Sequence, residues 1–192
     1  MSNEYKEDLR IIRTRNLLCK AFYELLEETP YEKISVIDIC NKAMVHRATF
    51  YNHFEDKEHL LQFAIDEIQE ELFNKAIINE KYSNPKEMYM TLIEQVIDYV
   101  EANRQQFLLI IKNNNREKIL GLLLSTIERS IKYLTSKNEY KMNYSVPTNI
   151  LVDFLSGGIT NLGLRWLETN YCSKHDLINY FDIFLNEKIY LK

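Results

Sequence analysis

The stretch SVIDICNKAMVHRATFYNHFEDKEHL, from Ser35 to Leu60, decides the fold of this chain. It predicts two short helices joined by a tight turn. Ser35 and Asp38 have the spacing of a capping box, which marks the start of the first helix. Phe50 and Phe54 lie four residues apart, so they share one face of the second helix. We expect that face to point inward and to leave the polar residues of the second helix outside.

The outward face of the second helix is polar and aromatic, on a helix too short to form a core of its own. In a helix-turn-helix the first helix crosses the DNA backbone and the second lies in the major groove. A guanidinium can read guanine there, while hydroxyl, amide and imidazole groups can reach phosphate oxygens. The pattern therefore predicts a DNA-binding surface that includes Arg47, Thr49, Tyr51, Asn52 and His53.

Two short runs in this stretch carry a resemblance to a known family. The chain has Thr-Phe-Tyr-Asn-His-Phe at residues 49–54 and Lys-Glu-His-Leu at residues 57–60. It resembles the TetR/AcrR family of transcriptional regulators over about residues 9–65. The resemblance implies base contacts at the start of the second helix and phosphate contacts from the tyrosine, the histidine and the helix-start lysine. We expect the DNA-binding residues to be Ser35, His46, Arg47, Ala48, Thr49, Tyr51, Asn52, His53 and Lys57.

The turn between the two helices departs from the family pattern, because Met44 stands where the family usually has glycine. Glycine suits a positive φ, and another residue there costs about 1 kcal/mol. We therefore expect either a different turn geometry or a Met44 side chain that packs inward.

Composition favours helices throughout. The 192 residues include only 4 glycines and 3 prolines, and 46% of them are hydrophobic. We predict an all-α fold of about nine helices. Residues 1–55 would form a three-helix helix-turn-helix DNA-binding domain, and residues 56–192 a helical ligand-binding and dimerisation domain. Three widely spaced cysteines and the absence of a signal or membrane-spanning pattern predict reduced thiols and a cytoplasmic protein.

Charge limits the manner of DNA binding. The chain has a net charge of −4, and residues 1–60 hold nine Lys and Arg against eleven Asp and Glu. Binding would therefore rest on a few placed phosphate contacts and would weaken with salt. The early basic residues of the first helix, Arg10, Arg13 and Arg15, could approach the phosphate backbone or the minor groove, but we favour a solvated helix face.

Apolar periodicity outlines the remaining helices. It predicts a first helix over about 5–28 and a long helix over about 56–79, which begins at the DNA-binding residues and extends ~35 Å from them. The segment Asn84-Pro85-x-Glu87 marks another helix start. A short helix around 106–112 and a longer one over 116–136 follow, with loops at 113–115 and 137–145.

The last two predicted helices, over about 147–169 and from the capping box at Ser173 onward, are amphipathic. With their twofold copies they would form a four-helix dimer interface, as the family does. The alternative is that they only close the core of one subunit. Gly157 and Gly158 cost about 1 kcal/mol each inside a helix, which a close approach of another helix or a ligand would offset. The predicted interface residues are Leu151, Phe154, Leu155, Gly158, Leu162, Trp166, Leu177, Tyr180, Phe181 and Phe184.

These features favour a sequence-specific DNA-binding regulator, most simply a repressor that binds a palindromic operator as a homodimer. An unidentified small molecule would bind near Tyr99, Phe107 and Tyr133 and tilt the long helix, although those aromatics also suit a core. No cofactor, metal or membrane is expected.

Two other classes of protein stay open at this point. A protein-interaction module, such as a coactivator or ligand sensor, could use this fold without reading DNA. An enzyme is disfavoured because the sequence has no GxSxG elbow and no phosphate-binding glycine loop.

Overall fold

The computed structural model describes residues 2–78, 82, 84–136 and 146–185. Within those ranges it has nine α-helices and no strand, so the predicted all-α class is confirmed. The helices are α1 (Ser2–Glu28), α2 (Val36–Ala43), α3 (Arg47–Tyr51), α4 (Lys57–Ile78), α5 (Pro85–Ala102), α6 (Arg104–Asn113), α7 (Arg116–Ser136), α8 (Thr148–Thr169) and α9 (Lys174–Phe184). None of the described helices combines the length and the apolar character that crossing a membrane requires. The predicted loop at 137–145 lies outside the described residues.

The backbone forms two compact units. The N-terminal unit comprises residues 1–69 and 109–115, and the C-terminal unit comprises residues 70–108 and 116–192. The predicted boundary at 55/56 falls earlier, before α4. The difference has a simple cause: Leu60, in the first turn of α4, is completely buried in the core of the N-terminal unit.

The core of the N-terminal unit joins α1, α2, α3 and the start of α4. Leu18 and Phe22 of α1 are fully buried, and so are Ile39 of α2 and Phe50 of α3. The inward direction predicted for Phe50 and Phe54 is therefore confirmed. This core fixes α3 by one face and leaves the opposite face available.

Two asparagines of the predicted loop at 113–115 bind the end of α1. The last carbonyls of a helix have no partner within it. The Nδ2 atoms of Asn113 and Asn114 donate to the carbonyls of Glu27 and Leu26, respectively. The Oδ1 of Asn114 accepts from the backbone N–H of Tyr31 at 2.6 Å. Segment 109–115 is thereby part of the N-terminal unit, although the chain on both sides of it belongs to the C-terminal unit.

In the C-terminal unit, α8 packs against α5 and α7, and α9 packs against α5. Leu185 packs with Leu151 near the start of α8, whereas Leu177 packs with Trp166 near its end. The last two helices are therefore antiparallel. Side-chain caps occur where the sequence predicts them, with Asn84 Oδ1 accepting from the N–H of Glu87 and Ser173 Oγ from that of Asp176.

Candidate nucleic-acid interface

The connection between α2 and α3 has the backbone of a helix-turn-helix. Ser35 begins α2 with the predicted capping box: its Oγ accepts from the N–H of Asp38, and the Asp38 carboxylate accepts from the N–H of Ser35. Met44 ends α2 in the left-handed region, at φ 55° and ψ 42°. It therefore keeps the conformation that suits glycine, and its side chain is 92% exposed. Both expectations for Met44, a different turn geometry and inward packing, are wrong.

The outward face of α3 contains most of the predicted DNA-binding residues. His46, Arg47, Ala48, Tyr51 and Asn52 are exposed, with Tyr51 at 50%. The guanidinium carbon of Arg47 lies 5.9 Å from the centre of the Tyr51 ring, within cation–π range. Stacking on the ring limits the conformations that the exposed Arg47 side chain explores.

Aromatic rings continue from α3 into α4 and contact Arg15 of α1, which we predicted to lie on a solvated helix face. The ring centres of Phe54 and Phe63 are 5.3 Å apart, and Arg15 of α1 lies 5.1 Å above Phe63. The Arg15 Nε is buried and has no hydrogen-bond partner. Periodicity could not identify this position, because it depends on how α1 and α4 pack together.

The same packing acts on His53. Thr49 and His53 are partly buried, and burial is the main cause that lowers the pKa of His53 below its ordinary 6.5. The positive charge of Arg15 lowers this pKa further. His53 is therefore mainly neutral near pH 7, and a bound phosphate would favour its protonated form.

We expect pH to change stability and DNA affinity in opposite directions through His53. The unfolded chain binds this proton more readily, so the contribution of His53 to stability is complete above about pH 6.5 and is lost as pH falls through the lowered pKa. Operator affinity should rise as pH falls from about 7.5 to 6, because the bound state takes up the proton. Titrations of wild type and His53→Gln at several pH values measure the difference, with His175→Gln as control. Identical pH profiles for wild type and His53→Gln would contradict the assignment.

Lys57 lies at the start of α4, but its ammonium group contacts the chain itself. Its Nζ donates to the carbonyl oxygens of Tyr31 and Ile34 at 2.8 and 2.9 Å, and it lies 4.3 Å from the centre of the Tyr31 ring. The ammonium thus holds the α1–α2 connection against α4. A phosphate contact from Lys57 stays a prediction.

Removal of the Lys57 ammonium distinguishes a positioning role from a phosphate contact. We expect Lys57→Ala to lower the free energy of unfolding by about 2 kcal/mol, because two carbonyls lose a charged donor. Operator affinity should fall for all sequences while the salt dependence of binding stays unchanged. A direct phosphate contact would instead reduce the slope of log affinity against log salt by about one. Lys33→Ala, which removes an exposed charge from the same connection, is the control.

The residues predicted for dimerisation divide into two sets. Five are buried in the subunit's own core and leave no surface for a second copy: Leu151, Leu155, Trp166, Leu177 and Phe181. Gly158 and Leu162 are partly buried. Phe154, Tyr180 and Phe184 are exposed, and so are Ile150 on α8 and Ile183 on α9. We call these five exposed residues the α8–α9 apolar face.

The residues predicted for a ligand site are also not equivalent. The rings of Tyr99 and Phe107 contact each other, with centres 6.0 Å apart. Tyr133 contacts Phe73 and is largely exposed. An exposed side chain is a poor candidate for the lining of a closed cavity. Of the three residues predicted to line a ligand site, Tyr99 and Phe107 therefore stay candidates.

Comparison with known protein families adds independent evidence. The profile of bacterial regulatory proteins of the tetR family matches residues 18–63, which contain α2 and α3. A second profile, the C-terminal region of transcriptional regulators, matches residues 87–186, just over half of the chain.

Individual relatives agree with the profiles. The chain is 37% identical over 95 residues to an uncharacterised HTH-type transcriptional regulator, YxbF, of Bacillus subtilis, and it covers 24% of that protein with 49% of its own length. It is 31% identical over 117 residues to the dhaKLM operon activator DhaS of Lactococcus lactis, covering 62% of DhaS with 57% of its own length. It therefore spans less than two thirds of either relative. A crystal structure of a TetR regulator from Streptococcus agalactiae has 26% identity and a TM-score of 0.61, over 96% of this chain and 99% of that one.

Proposed function

Because this chain belongs to the TetR family and is a DNA-binding transcriptional regulator, we propose that it represses transcription as a homodimer on a palindromic operator. A small-molecule effector would release it. The family membership does not favour the alternative of an interaction module that does not read DNA.

The observation that carries the proposal is the exposed face of α3 on a buried support. Phe50 and Phe54 anchor the helix in the core, while Arg47 and Tyr51 are exposed beside each other. A rigidly supported guanidinium suits bidentate recognition of guanine in the major groove. The carboxylates of Glu24 and Glu28 are both within 4 Å of the Lys42 ammonium on α2, so these acidic groups are paired within the N-terminal unit.

The α8–α9 apolar face supports the dimer. It has Ile150 and Phe154 on α8 and Tyr180, Ile183 and Phe184 on α9, and exposed apolar surface of this kind favours association. A methyl group built on Gly157 or Gly158 would meet no atom within 4 Å apart from those of its chain neighbours and of the adjacent backbone of α8. The space beside these glycines therefore stays open for a second copy, whose close approach would offset their cost in a helix.

Segment 109–115 supports a response to an effector. Its Asn113 binds the last turn of α1. Its Asn114 accepts from the N–H of Tyr31, which lies in the α1–α2 connection that Lys57 also binds. The chain enters this segment from the C-terminal unit and returns to it. A ligand that shifts α6 would thereby pull on the support of α2 and α4. To change the bound population a hundredfold, it must favour the released state by ~2.8 kcal/mol.

Replacement of Arg47 tests the DNA readout. We expect Arg47→Ala to lower affinity for the operator by about 1–3 kcal/mol and to relax the preference at one base pair, because a bidentate base contact is lost. Fluorescence anisotropy with DNA flanking the protein's own gene, and with each single base-pair variant of the selected site, measures both effects.

Lys42→Ala is the matched control for charge, since it removes a positive charge from the same unit at a position paired with Glu24 and Glu28. It should leave the base preference intact. Unaltered affinity and specificity in Arg47→Ala would contradict the assigned readout. In a promoter–reporter strain, Arg47→Ala should give a higher reporter output than wild type, because repression is lost. A lower output than wild type would indicate that the protein is an activator.

A further inference from the structure

Met44 combines two unfavourable properties at one position. Its backbone is in the left-handed region, at φ 55°, and its apolar side chain is 92% exposed. The only other described residue that is not glycine and has a positive φ is Asn170, at the end of α8. Asparagine tolerates this conformation because its short polar side chain bonds locally, whereas methionine has no such compensation.

Among the described residues, nothing offsets the conformational cost of Met44. Its N–H makes the helix-ending bonds to the carbonyls of Asn41 and Cys40, but any residue supplies that N–H. A side chain that is 92% exposed gains almost nothing from burial. Glycine would make the same backbone bonds without strain. Strained residues of this kind are concentrated at functional sites. We therefore expect the interaction that compensates for the strain to form when the protein binds a partner.

The position of Met44 indicates that this bound state is the complex with DNA. It lies two residues before His46, the N-cap of α3, and three before Arg47. The N-terminal end of a recognition helix is the end that meets base edges. Among the groups that DNA presents in the major groove, the apolar one is the C5-methyl of thymine. Methionine is long, unbranched and adaptable, which suits contact with a small apolar group.

We propose that Met44 determines specificity by packing against a thymine methyl group in the major groove, next to the base read by Arg47. The inference rests on the proposed operator binding. It adds a recognised chemical group, the methyl of a T·A pair, at a position where the family pattern has no side chain. The strain at Met44 is then retained because it presents this side chain to DNA.

The proposal predicts opposite effects on stability and on DNA binding. Met44→Gly should raise the melting temperature by about 2–4 °C, since the left-handed strain disappears. It should also lower operator affinity about fivefold, because the methyl contact is lost. Asn170→Gly is the matched control: it makes the same backbone change at the other left-handed position and should leave operator affinity unchanged.

Replacement of thymine by uracil isolates the methyl group. Uracil lacks only the C5-methyl, so scanning each thymine of the operator tests the contact directly. Uracil in place of the contacted thymine in both half-sites should lower the affinity of wild type about fivefold, whereas the affinities of Met44→Gly and Met44→Asn should not fall further there. Arg47→Ala should lose affinity on uracil substitution as wild type does, but it should no longer prefer the base pair that Arg47 is proposed to contact.

Each failure has a distinct meaning. Equal uracil sensitivity in wild type and Met44→Gly, or no sensitivity at any thymine of a site that wild type binds selectively, would overturn the role of Met44 while leaving the proposed function in place. If wild type prefers no DNA sequence over another, the proposed function fails and the role of Met44 fails with it.

Discussion

Replacement of Phe154 by glutamate should convert the protein into a monomer and lower operator affinity by at least ~100-fold. Phe154 is 62% exposed in the subunit and is the most exposed member of the α8–α9 apolar face. In the proposed dimer this side chain becomes buried, so a carboxylate there would lose its hydration without gaining a partner. Each monomer would then bind one half-site alone and lose the gain from linked binding, which amounts to ~10²–10⁴.

Light scattering gives the molar mass of the variant, and anisotropy gives its affinity for the full operator and for an isolated half-site. The half-site affinity should be unchanged, because α3 is not altered. Val96→Glu is the control, since Val96 is an exposed apolar residue on α5, outside the α8–α9 apolar face. It should stay dimeric. A Phe154→Glu protein that remains dimeric would place the interface elsewhere.

Local side-chain rules were sufficient for several helix starts. Ser35, Asn84 and Ser173 begin helices at the positions predicted from their spacing to an acidic residue, because a cap depends only on residues three apart. The inward direction of Phe50 and Phe54 also followed from local periodicity. The outward face of α3, and hence most of the candidate site, could therefore be predicted from the sequence.

Features that depend on packing between distant segments could not be predicted. The carbonyl partners of Lys57 lie 23 and 26 residues earlier in the chain. Likewise, the apolar pattern on α8 does not indicate which of its apolar side chains are buried within the same subunit. It therefore grouped Trp166, which is buried by its own chain, with Phe154, which is exposed. The backbone strain at Met44 was predicted, but the direction of its side chain was not: it is 92% exposed instead of packed inward.

The second large effect is expected at the support of the recognition helix. Phe50 is completely buried and contacts Phe54 and Tyr51, with ring centres 5.8 and 5.5 Å apart. Phe50→Ala should lower the free energy of unfolding of the N-terminal unit by about 3–5 kcal/mol, through lost burial and the cavity that remains. Because α3 has only five residues, it cannot persist as a helix without this anchor. Operator binding should therefore fall below detection.

The single tryptophan allows the two units to be followed separately. Trp166 is buried in the C-terminal unit, so its fluorescence reports that unit, whereas amide exchange at α2 and α3 reports the N-terminal one. Phe50→Ala should accelerate exchange at α2 and α3 and leave the fluorescence transition in denaturant close to that of wild type. Tyr51→Ala removes a neighbouring aromatic ring that is half exposed. It should lower operator affinity with little change in amide exchange, because a phosphate contact and the stacking partner of Arg47 are lost while the core is kept. Unchanged exchange in Phe50→Ala would mean that another contact supports α3.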